Sequence, residues 1–435
     1  MSFNEMSHAV ASSQFGLWNE TAVPRSTVVE LQNDLTTEAA IIGGGFCGLS
    51  AALHLAESGV ETVVLEAEEP GFGASGRNGG QVIAGLKLDP SEMVAKFGRD
   101  RGEALHRISA GAADLVYELI ERYQIQCEAH RDGWIQAGYS PPVTAAIERR
   151  LSELQARGEK VEWLSKGHIE ALTGTGYYRG GMLDMRSGMI QPFSYARGLA
   201  RAASTSGARL FGKARVAGLT FENGSWRLDT ARGTVTAKHV LLATNAYLGD
   251  LYPVLKTAII PVGSYQIATA PLPVALEGAI LPARLPVSDL MQLGVYFRRD
   301  DQGRFIIGGR GSFTKRERPD LYARIRRQAC ILFPALKTVD FTWRWGGKLA
   351  LTFDHLPRLV TLEPGLHAAY GCNGRGIALL TLMGKLGAER IRGLRHDNLP
   401  IANLPPAHYP FHALRLPAMM LVSNIRALRR AFTRD

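Results

Sequence analysis

The first strongly apolar stretch of the chain, 39-AAIIGGGFCGLSAALHLAESGVETVVLE-66, is divided into short apolar runs by glycines and charged residues. Residues 39–42 form an apolar run that is typical of a buried parallel strand. Residues 46–58 are predicted to form a helix that Gly59 ends, and residues 61–66 return as a second strand. The pattern therefore predicts an α/β domain that begins with a strand, a tight turn, a helix and a second strand.

Two later patterns add elements to this domain. Residues 208–247 alternate like a β-meander, with turns predicted at 223–224 and 232–233, and end on an apolar strand at 240–243. Such an insert is common in FAD domains and unusual in simple NAD domains, although an ordinary hairpin insertion remains the alternative. The stretch 370–391 is predicted to be a loop at 371–376 that opens into a helix apolar on nearly every face, and such a helix is buried inside a domain.

The glycines after the first strand carry the first chemical signal. Gly43, Gly45 and Gly48 have the GxGxxG spacing. The first allows a sharp turn, the second allows the backbone to approach a pyrophosphate, and the third allows helix and strand to pack closely. The helix N-terminus then points N–H groups at the pyrophosphate, and Glu66, 21 positions after Gly45, can accept hydrogen bonds from ribose hydroxyls.

Two further glycine-rich loops indicate a flavin cofactor and not a nicotinamide cofactor. The loop 72-FGASGRNGG-80 follows Glu66 closely and can wrap a phosphate with backbone N–H groups, while Arg77 can reach a phosphate or a carboxylate. The loop 371–376 opens directly into the apolar helix, whose positive end suits the negative charge of a reduced flavin. Three such loops favour an extended dinucleotide.

Composition narrows the class of protein. A chain of 435 residues predicts two or three domains, and 46% hydrophobic with 21% charged residues is typical of a soluble globular protein. The formal charge of +10 suggests nucleic acid as a possible partner. However, the basic residues are scattered, and the sequence shows neither the spacing of a zinc-binding motif nor a module that binds single-stranded nucleic acid. We therefore expect no nucleic acid and favour attraction of an anionic substrate or cofactor.

The four cysteines show no CxxC pair and no metal-ligand spacing, so no metal site is expected. Such cysteine usage is compatible with a reducing compartment. The N-terminal segment lacks the pattern of a signal peptide, and no stretch approaches the roughly 20 apolar residues that span a bilayer. We expect a cytoplasmic protein.

Taken with these motifs, the chain resembles the D-amino-acid oxidase superfamily of FAD-dependent oxidoreductases, which includes glycine oxidase and sarcosine oxidase. The stretches GFGASGRNGGQ (71–81), WGGKLALTFDHLP (345–357) and GCNGRGIALL (371–380) are most similar to the gamma-glutamylputrescine oxidase group. The resemblance implies an FAD-binding Rossmann-like domain interleaved with a mixed-sheet substrate domain of the α+β type. The FAD-binding segments would be 1–86, 191–252 and 342–400, the substrate segments 87–190 and 253–341, followed by a C-terminal tail at 401–435.

The resemblance also implies FAD and the residues that contact it. The expected set comprises the three glycine-rich loops and the strand ends beside them: Gly43, Gly45, Phe46, Cys47, Gly48, Glu66, Ala67, Ala74, Ser75, Gly76, Arg77, Asn78, Gly79, Gly80, Val216, Thr244, Asn245, Gly347, Lys348, Asn373, Gly374, Arg375, Gly376 and Ile377. Three positions depart from sarcosine oxidases. Gly347 replaces the cysteine that attaches FAD, so a non-covalent flavin is expected. Ile306 and Ala378 replace lysines that serve O2 and the substrate carboxylate.

The chemistry implied is hydride transfer from the carbon beside a neutral amine to the flavin, which gives an imine that hydrolyses. The donor would be an amino acid or a carboxylate-bearing secondary amine of the gamma-glutamylputrescine, iminodiacetate or N-methyl amino acid type, and O2 would be reduced to H2O2. The alternative is a membrane-surface dehydrogenase that passes electrons to quinone. It is motivated by Ile306 and by the basic amphipathic tail, which can contact a membrane weakly or pack against its own domain or a second subunit.

Five residues are candidates for substrate contact. Lys348 follows two glycines and can support the reduced flavin or bind a carboxylate, or it is a solvated turn lysine. Arg298 and Arg310 lie on predicted strands at 295–300 and 304–310 and can clamp a carboxylate, with a surface role as the alternative. Tyr265 and Tyr296 can wall the cavity, although an aromatic residue on an alternating strand is more often core.

Overall fold

The helices and strands follow from a computed structural model, which describes residues 16–25, 28–289, 294–311 and 319–406. The α-helices in these ranges are α1 (Leu17–Thr21), α2 (Phe46–Glu57), α3 (Pro90–Phe97), α4 (Arg99–Ala110), α5 (Ala112–Arg122), α6 (Pro141–Gln155), α7 (Lys166–Thr173), α8 (Pro192–Thr205), α9 (Pro253–Lys256), α10 (Val274–Glu277), α11 (Pro319–Leu332) and α12 (Gly376–Ile391). In the same ranges, none of the helices is both long and apolar enough to cross a membrane.

The strands in the same ranges are β1 (Leu35–Ile42), β2 (Thr62–Leu65), β3 (Gln81–Val82), β4 (Trp134–Gly138), β5 (Val161–Ser165), β6 (Gly180–Asp184), β7 (Gly188–Met189), β8 (Arg209–Phe211), β9 (Gly218–Glu222), β10 (Ser225–Thr230), β11 (Gly233–Leu242), β12 (Ile260–Pro271), β13 (Val287–Asp289), β14 (Tyr296–Arg299), β15 (Arg304–Arg310), β16 (Phe341–Leu351), β17 (Arg358–Glu363) and β18 (Leu366–Tyr370). They form two eight-stranded sheets and a two-stranded sheet of β3 and β7. The α/β fold class is confirmed.

The first sheet has the strand order β17-β18-β11-β1-β2-β8 and is parallel from β18 to β8. In its centre, Ile42 pairs with Leu65 on one side and with Leu242 on the other. The carboxyl ends of β1, β2 and β11 therefore meet at one edge. Ligands of open α/β sheets bind at such an edge.

Both faces of this sheet are buried, which explains the uninterrupted apolar run in β1. Ile41 packs on one face among residues of α2 and α12, and Ile42 packs on the other face with Trp226 of the meander. The meander forms as predicted, because β9, β10 and β11 are antiparallel neighbours with turns at 223–224 and 231–232. The predicted apolar helix is α12, which packs against α2.

The second sheet has the order β16-β12-β15-β14-β13-β4-β6-β5 and is antiparallel except between β13 and β4. On one face, Ile267 and Ile307 pack against Ile325 of α11. On the other face, Ile306 and Trp345 pack with Trp18, Phe193 and other residues. The mixed sheet therefore lies between α11 on one face and α1 and α8 on the other.

The domain boundaries remain a prediction, although the hydrogen bonds of one strand bear on them. The strand β16 lies in the segment assigned to the FAD-binding domain, yet it pairs along its whole length with β12 of the second sheet. The structure describes residues 401–406 of the predicted tail 401–435, and the residues from 407 onwards, which include the predicted amphipathic helix, lie outside the described part of the chain.

A pair of histidines on β11 and β18 of the first sheet, of which His367 is buried, predicts acid sensitivity. The rings of His239 and His367 stack with their centroids 6.1 Å apart, and Thr361 Oγ1 lies 3.1 Å from His367 Nδ1. Burial, with the neighbouring His239 and Arg390 contributing, lowers the pKa of His367 to about 4, below its ordinary value of 6.5. The unfolded chain therefore binds this proton first, and stability is lost as the pH falls from 6.5 towards 4.

We expect the substitution His367→Gln to reduce this loss. Between pH 7 and pH 4.5 the wild-type protein should lose about 2 to 3 kcal/mol more stability than the variant. Thermal unfolding of both proteins at the two pH values measures the difference. Parallel pH profiles would show that His367 is protonated equally in the folded and unfolded states.

Candidate active site

The glycine turn after β1 brings the helix α2 against the end of the strand. Gly43 has a φ of +108°, a conformation that side chains other than glycine rarely adopt. A Cβ atom on Gly48 would lie 1.9 Å from the carbonyl oxygen of Gly43. The turn and the helix can therefore approach this closely only because position 48 has no side chain.

The N-terminus of α2 is joined to the second glycine-rich loop. The N–H of Phe46 donates to Ser75 Oγ at 3.0 Å, and a Cβ on Gly45 would lie 2.9 Å from the same hydroxyl. Two loops that are separate in the sequence thus form one surface at the carboxyl edge of the first sheet.

Glu66 lies at this edge, directly after β2. Its carboxylate accepts hydrogen bonds from the N–H groups of Gly44 at 2.6 Å and Glu68 at 3.0 Å. Burial raises the pKa of Glu66, and the two backbone hydrogen bonds oppose that shift. At the end of β11, which β1 separates from β2, Thr244 Oγ1 is buried without a hydrogen-bond partner among the described residues. The same edge of the sheet therefore carries a carboxylate acceptor and an unsatisfied hydroxyl.

The loop 74–80 is held by side chains from three separate elements. The indole N–H of Trp18 donates to the Asn78 carbonyl at 2.8 Å, and Gln266 Nε2 donates to the carbonyl of Arg77. Arg298 Nη1 donates to the carbonyl oxygens of Ile190 at 2.7 Å and Gly80 at 3.3 Å. Because Gln266 and Arg298 lie on the second sheet, that sheet fixes the shape of a loop of the first.

The third loop is fixed by two asparagines in the left-handed conformation, Asn245 at φ 47° and Asn373 at φ 49°. Asn245 Oδ1 accepts the Gly371 N–H at 3.0 Å, and Asn373 Oδ1 accepts the Thr352 N–H at 3.0 Å. Thus the ends of β11, β16 and β18 are tied together where α12 begins.

A cavity of about 610 Å³ opens where these three loops face the second sheet. Its wall includes Phe46, residues 74–75 and residues 77–79 on one side, and Tyr296 and Trp134 on the other. Tyr296 Oη lies 2.9 Å from Ser264 Oγ, and burial raises the pKa of Tyr296 to about 12, so the phenol is neutral near pH 7. In the described ranges no cluster of three or more His, Cys, Asp or Glu side chains could hold a metal ion.

The model of the family described as FAD dependent oxidoreductase (DAO) matches residues 38–390. This match covers more than half of the chain. The chain belongs to this family. It is an FAD-dependent oxidoreductase of the amine and amino-acid type.

Known relatives agree with this assignment. Gamma-glutamylputrescine oxidoreductase of Escherichia coli K12 is 33% identical over 404 residues, which cover 92% of this chain and 94% of that protein. Glycine oxidase from Geobacillus kaustophilus superposes with a TM-score of 0.72 at 24% identity, over 86% of this chain and 100% of that one. Iminodiacetate oxidase from Chelativorans sp. BNC1 gives 0.69 at 20% identity, over 85% and 97%. The two solved structures establish the shared fold.

The geometry of this oxidoreductase fits FAD. Gly45 and Gly48 let Ser75 and the Gly43 turn pack closely against the N-terminus of α2, and a helix N-terminus is suited to a pyrophosphate. Glu66 lies where it can bind ribose hydroxyls, and Thr244 offers an unused buried hydroxyl. The cavity volume lies within the range of ligand sites.

The predicted cofactor residues divide into two groups. The first lines the cavity and comprises Phe46, Ala74, Ser75, Arg77, Asn78, Gly79, Asn245, Gly347, Lys348, Gly374, Arg375, Gly376 and Ile377. The second lies outside the described cavity lining and comprises Gly43, Gly45, Cys47, Gly48, Glu66, Ala67, Gly76, Gly80, Val216, Thr244 and Asn373. In this second group Cys47 is a core residue, and burial raises the pKa of its thiol to about 12.

The predicted substrate residues do not all line the cavity. Tyr296 and Lys348 line the cavity, and Lys348 is exposed with its ammonium 5.9 Å from the centre of the Tyr247 ring. Tyr265 packs in the core against Tyr322, since it points to the other face of β12. Arg298 is 2% exposed and directed at backbone carbonyls, so it does not reach the cavity as a carboxylate clamp. Arg310 ends β15, and its side chain lies outside the described part of the structure.

Sequence reasoning missed several residues of the site. Trp18 precedes the first strand, and Gln266 lies in an alternating strand, so neither carries a motif. Trp134 and Arg150 reach the cavity from the segment 87–190, where the sequence analysis named no site residue. A signal was present only for Gln81, which directly follows the glycine-rich loop.

Proposed function

We propose that this oxidoreductase oxidises an amine that also carries a carboxylate. One observation supports this proposal most directly: five cationic side chains line the cavity, namely Arg77, Lys87, Arg150, Lys348 and Arg375. The described acids of the lining are Asp89 and Asp289, which lie beside Arg150 and the Tyr178 hydroxyl, respectively. The cavity therefore has an excess of positive charge and attracts an anionic substrate.

The chain's own residues would bind and orient this substrate. Phe46, the loop 74–80 and the backbone of residues 373–377 would hold FAD, which would accept a hydride from the carbon beside the amine when it is bound. Ile83, Ile147 and Val295 line the cavity and would exclude water from the reacting carbon. Tyr296 stays neutral, so it orients a polar group by hydrogen bonding and does not act as a base near pH 7.

The names of the relatives suggest the type of donor. Gamma-glutamylputrescine oxidoreductase and iminodiacetate oxidase are named for amines that carry carboxylates, and glycine oxidase for an amino acid. We propose the same class for this chain, with O2 as the electron acceptor and H2O2 as its product. We also propose a non-covalent flavin, because position 347 is a glycine and has no side chain to attach it. A Cβ atom added to Gly347 would lie only 3.1 Å from the Cβ atom of Arg77.

A test measures anaerobic bleaching of the holoenzyme by a panel of amines. We expect reduction by one or more of gamma-glutamylputrescine, iminodiacetate and N-methyl amino acids, and slow reduction by amines of equal length without a carboxylate. Reduction of carboxylate-free amines at equal rates would contradict the proposed substrate class. Peroxide formed per amine consumed distinguishes O2 from a quinone as acceptor, and acid denaturation should release all of the flavin into solution.

A further inference from the structure

Three arginines border a small void of about 10 Å³, and two of them, Arg150 and Arg375, also line the cavity of about 610 Å³. Arg186 forms two hydrogen bonds with Asp184, at 2.8 and 2.7 Å, and an ion pair with Glu159 at 2.9 Å. Arg150 lies 3.3 Å from Asp89. The third cation, Arg375, has no carboxylate within 4.0 Å among the described residues.

Arg375 is nevertheless held in place. Its Nη1 donates to the carbonyl of Ala84 at 2.8 Å, and its guanidinium carbon lies 5.9 Å from the ring centre of Trp134. The indole N–H of Trp134 donates to Ser288 Oγ at 3.1 Å, which fixes the ring. A guanidinium presents five N–H donors, so most of them are left for a ligand.

The surroundings disfavour this charge unless an anion joins it. Burial, followed by the nearby Arg150, lowers the pKa of Arg375 to about 9. Arg375 is half-buried, and a partly desolvated cation is stabilised by a paired anion with matching hydrogen bonds.

The anion has one direction of approach. Arg375 borders two spaces, the large cavity of about 610 Å³ and a void of about 10 Å³ beside Met93 and Asp184. A void of that size holds at most about one water molecule. Of these two spaces beside the described residues, the large cavity is therefore the one that can hold a carboxylate.

We propose that Arg375 binds the carboxylate of the substrate, at a position in the cavity flanked by Trp134 and Arg150. The inference rests on the proposed function and makes it specific, since it assigns the carboxylate to Arg375 and neither to the exposed Lys348 nor to the buried Arg298. Planar bidentate recognition of a carboxylate suits arginine, and the hydrogen bond to the Ala84 carbonyl orients the guanidinium.

The test titrates the oxidised holoenzyme with glutarate, a carboxylate that contains no amine and cannot reduce the flavin. We expect a saturable change in the flavin spectrum for the wild-type protein. Arg375→Met should weaken glutarate binding roughly ten- to hundredfold, as expected for loss of a charge-assisted hydrogen-bonded pair, and Arg375→Lys should restore part of it. Lys348→Met should change it less than about threefold, because a solvated charge contributes little.

Two further measurements separate the possible roles. The affinity for FAD should be unchanged in Arg375→Met, and Arg227→Met on the β9–β10 hairpin serves as the matched control. An equal loss of FAD affinity would assign Arg375 to the cofactor and overturn the inference, as would unchanged glutarate binding or the absence of glutarate binding to the wild-type protein. Failure of every amine to reduce the flavin, with glutarate binding intact, would instead overturn the proposed reaction and leave the carboxylate site standing.

Discussion

Gly48→Ala should yield a protein without bound flavin. The added Cβ would lie 1.9 Å from the Gly43 carbonyl oxygen and 3.1 Å from the Ile41 side chain, so either the turn or α2 must move. Overpacking of this kind costs about 1 to 3 kcal/mol. The displaced atoms are those of the turn that receives the pyrophosphate, so we expect FAD affinity to fall at least about a hundredfold.

Absorbance at flavin wavelengths and the dissociation constant of FAD measure this effect. Gly167→Ala is the matched control, because Gly167 lies within α7 and a Cβ there meets no atom within 4 Å. Alanine favours the helix over glycine, so this control should be as stable as the wild-type protein or up to about 1 kcal/mol more stable. A Gly48→Ala protein with its full content of FAD would refute the close-packing argument.

Arg298→Met should weaken FAD binding while leaving the substrate's KM unchanged. Arg298 connects the second sheet to the loop 74–80 through Gly80 and to Ile190, and its guanidinium lies 5.1 Å from the Trp18 ring centre. Loss of the donor leaves buried carbonyl oxygen without this partner, at a cost of about 1 to 3 kcal/mol. We expect a similar loss of stability and a roughly tenfold rise in the dissociation constant of FAD, since the loop is no longer held.

The neighbouring residue offers a matched control. Arg299 is also 2% exposed and donates to the backbone carbonyls of Glu277 and Ile280, but it points to the opposite face of β14. Arg299→Met should therefore lower stability without changing FAD affinity. A raised KM with retained FAD in Arg298→Met would instead support the carboxylate clamp suggested by the sequence.

The local pattern around the first strand was sufficient to predict the nucleotide end of the fold. The structure contains the predicted strand as β1, the glycine turn, the helix α2 and the strand β2 that ends before Glu66. Each of these features depends on residues that are close together in the chain: the run at 39–42, the glycines at 43, 45 and 48, and the acid at 66. The meander and the apolar helix α12 follow from periodicity for the same reason. The resemblance to a known family then supplied the cofactor.

The orientation of individual side chains could not be predicted in this way. Tyr265 and Gln266 are adjacent in β12, but one packs in the core and the other holds the loop 74–80. Alternation indicates that neighbours face opposite sides, and only the packing of α11 on one side decides which face is core. Arg298 and Arg299 differ for the same reason.

Sequence by itself thus determined the family, the cofactor and the three loops, because each depends on residues near one another in the chain. Tertiary structure alone decided which cations meet in the cavity. Trp134, Arg150 and Arg375 come from β4, α6 and the start of α12, and their proximity depends on how the two sheets pack. The ion pair that neutralises Arg150, and the absence of one for Arg375 among the described residues, arise only when these distant segments are brought together.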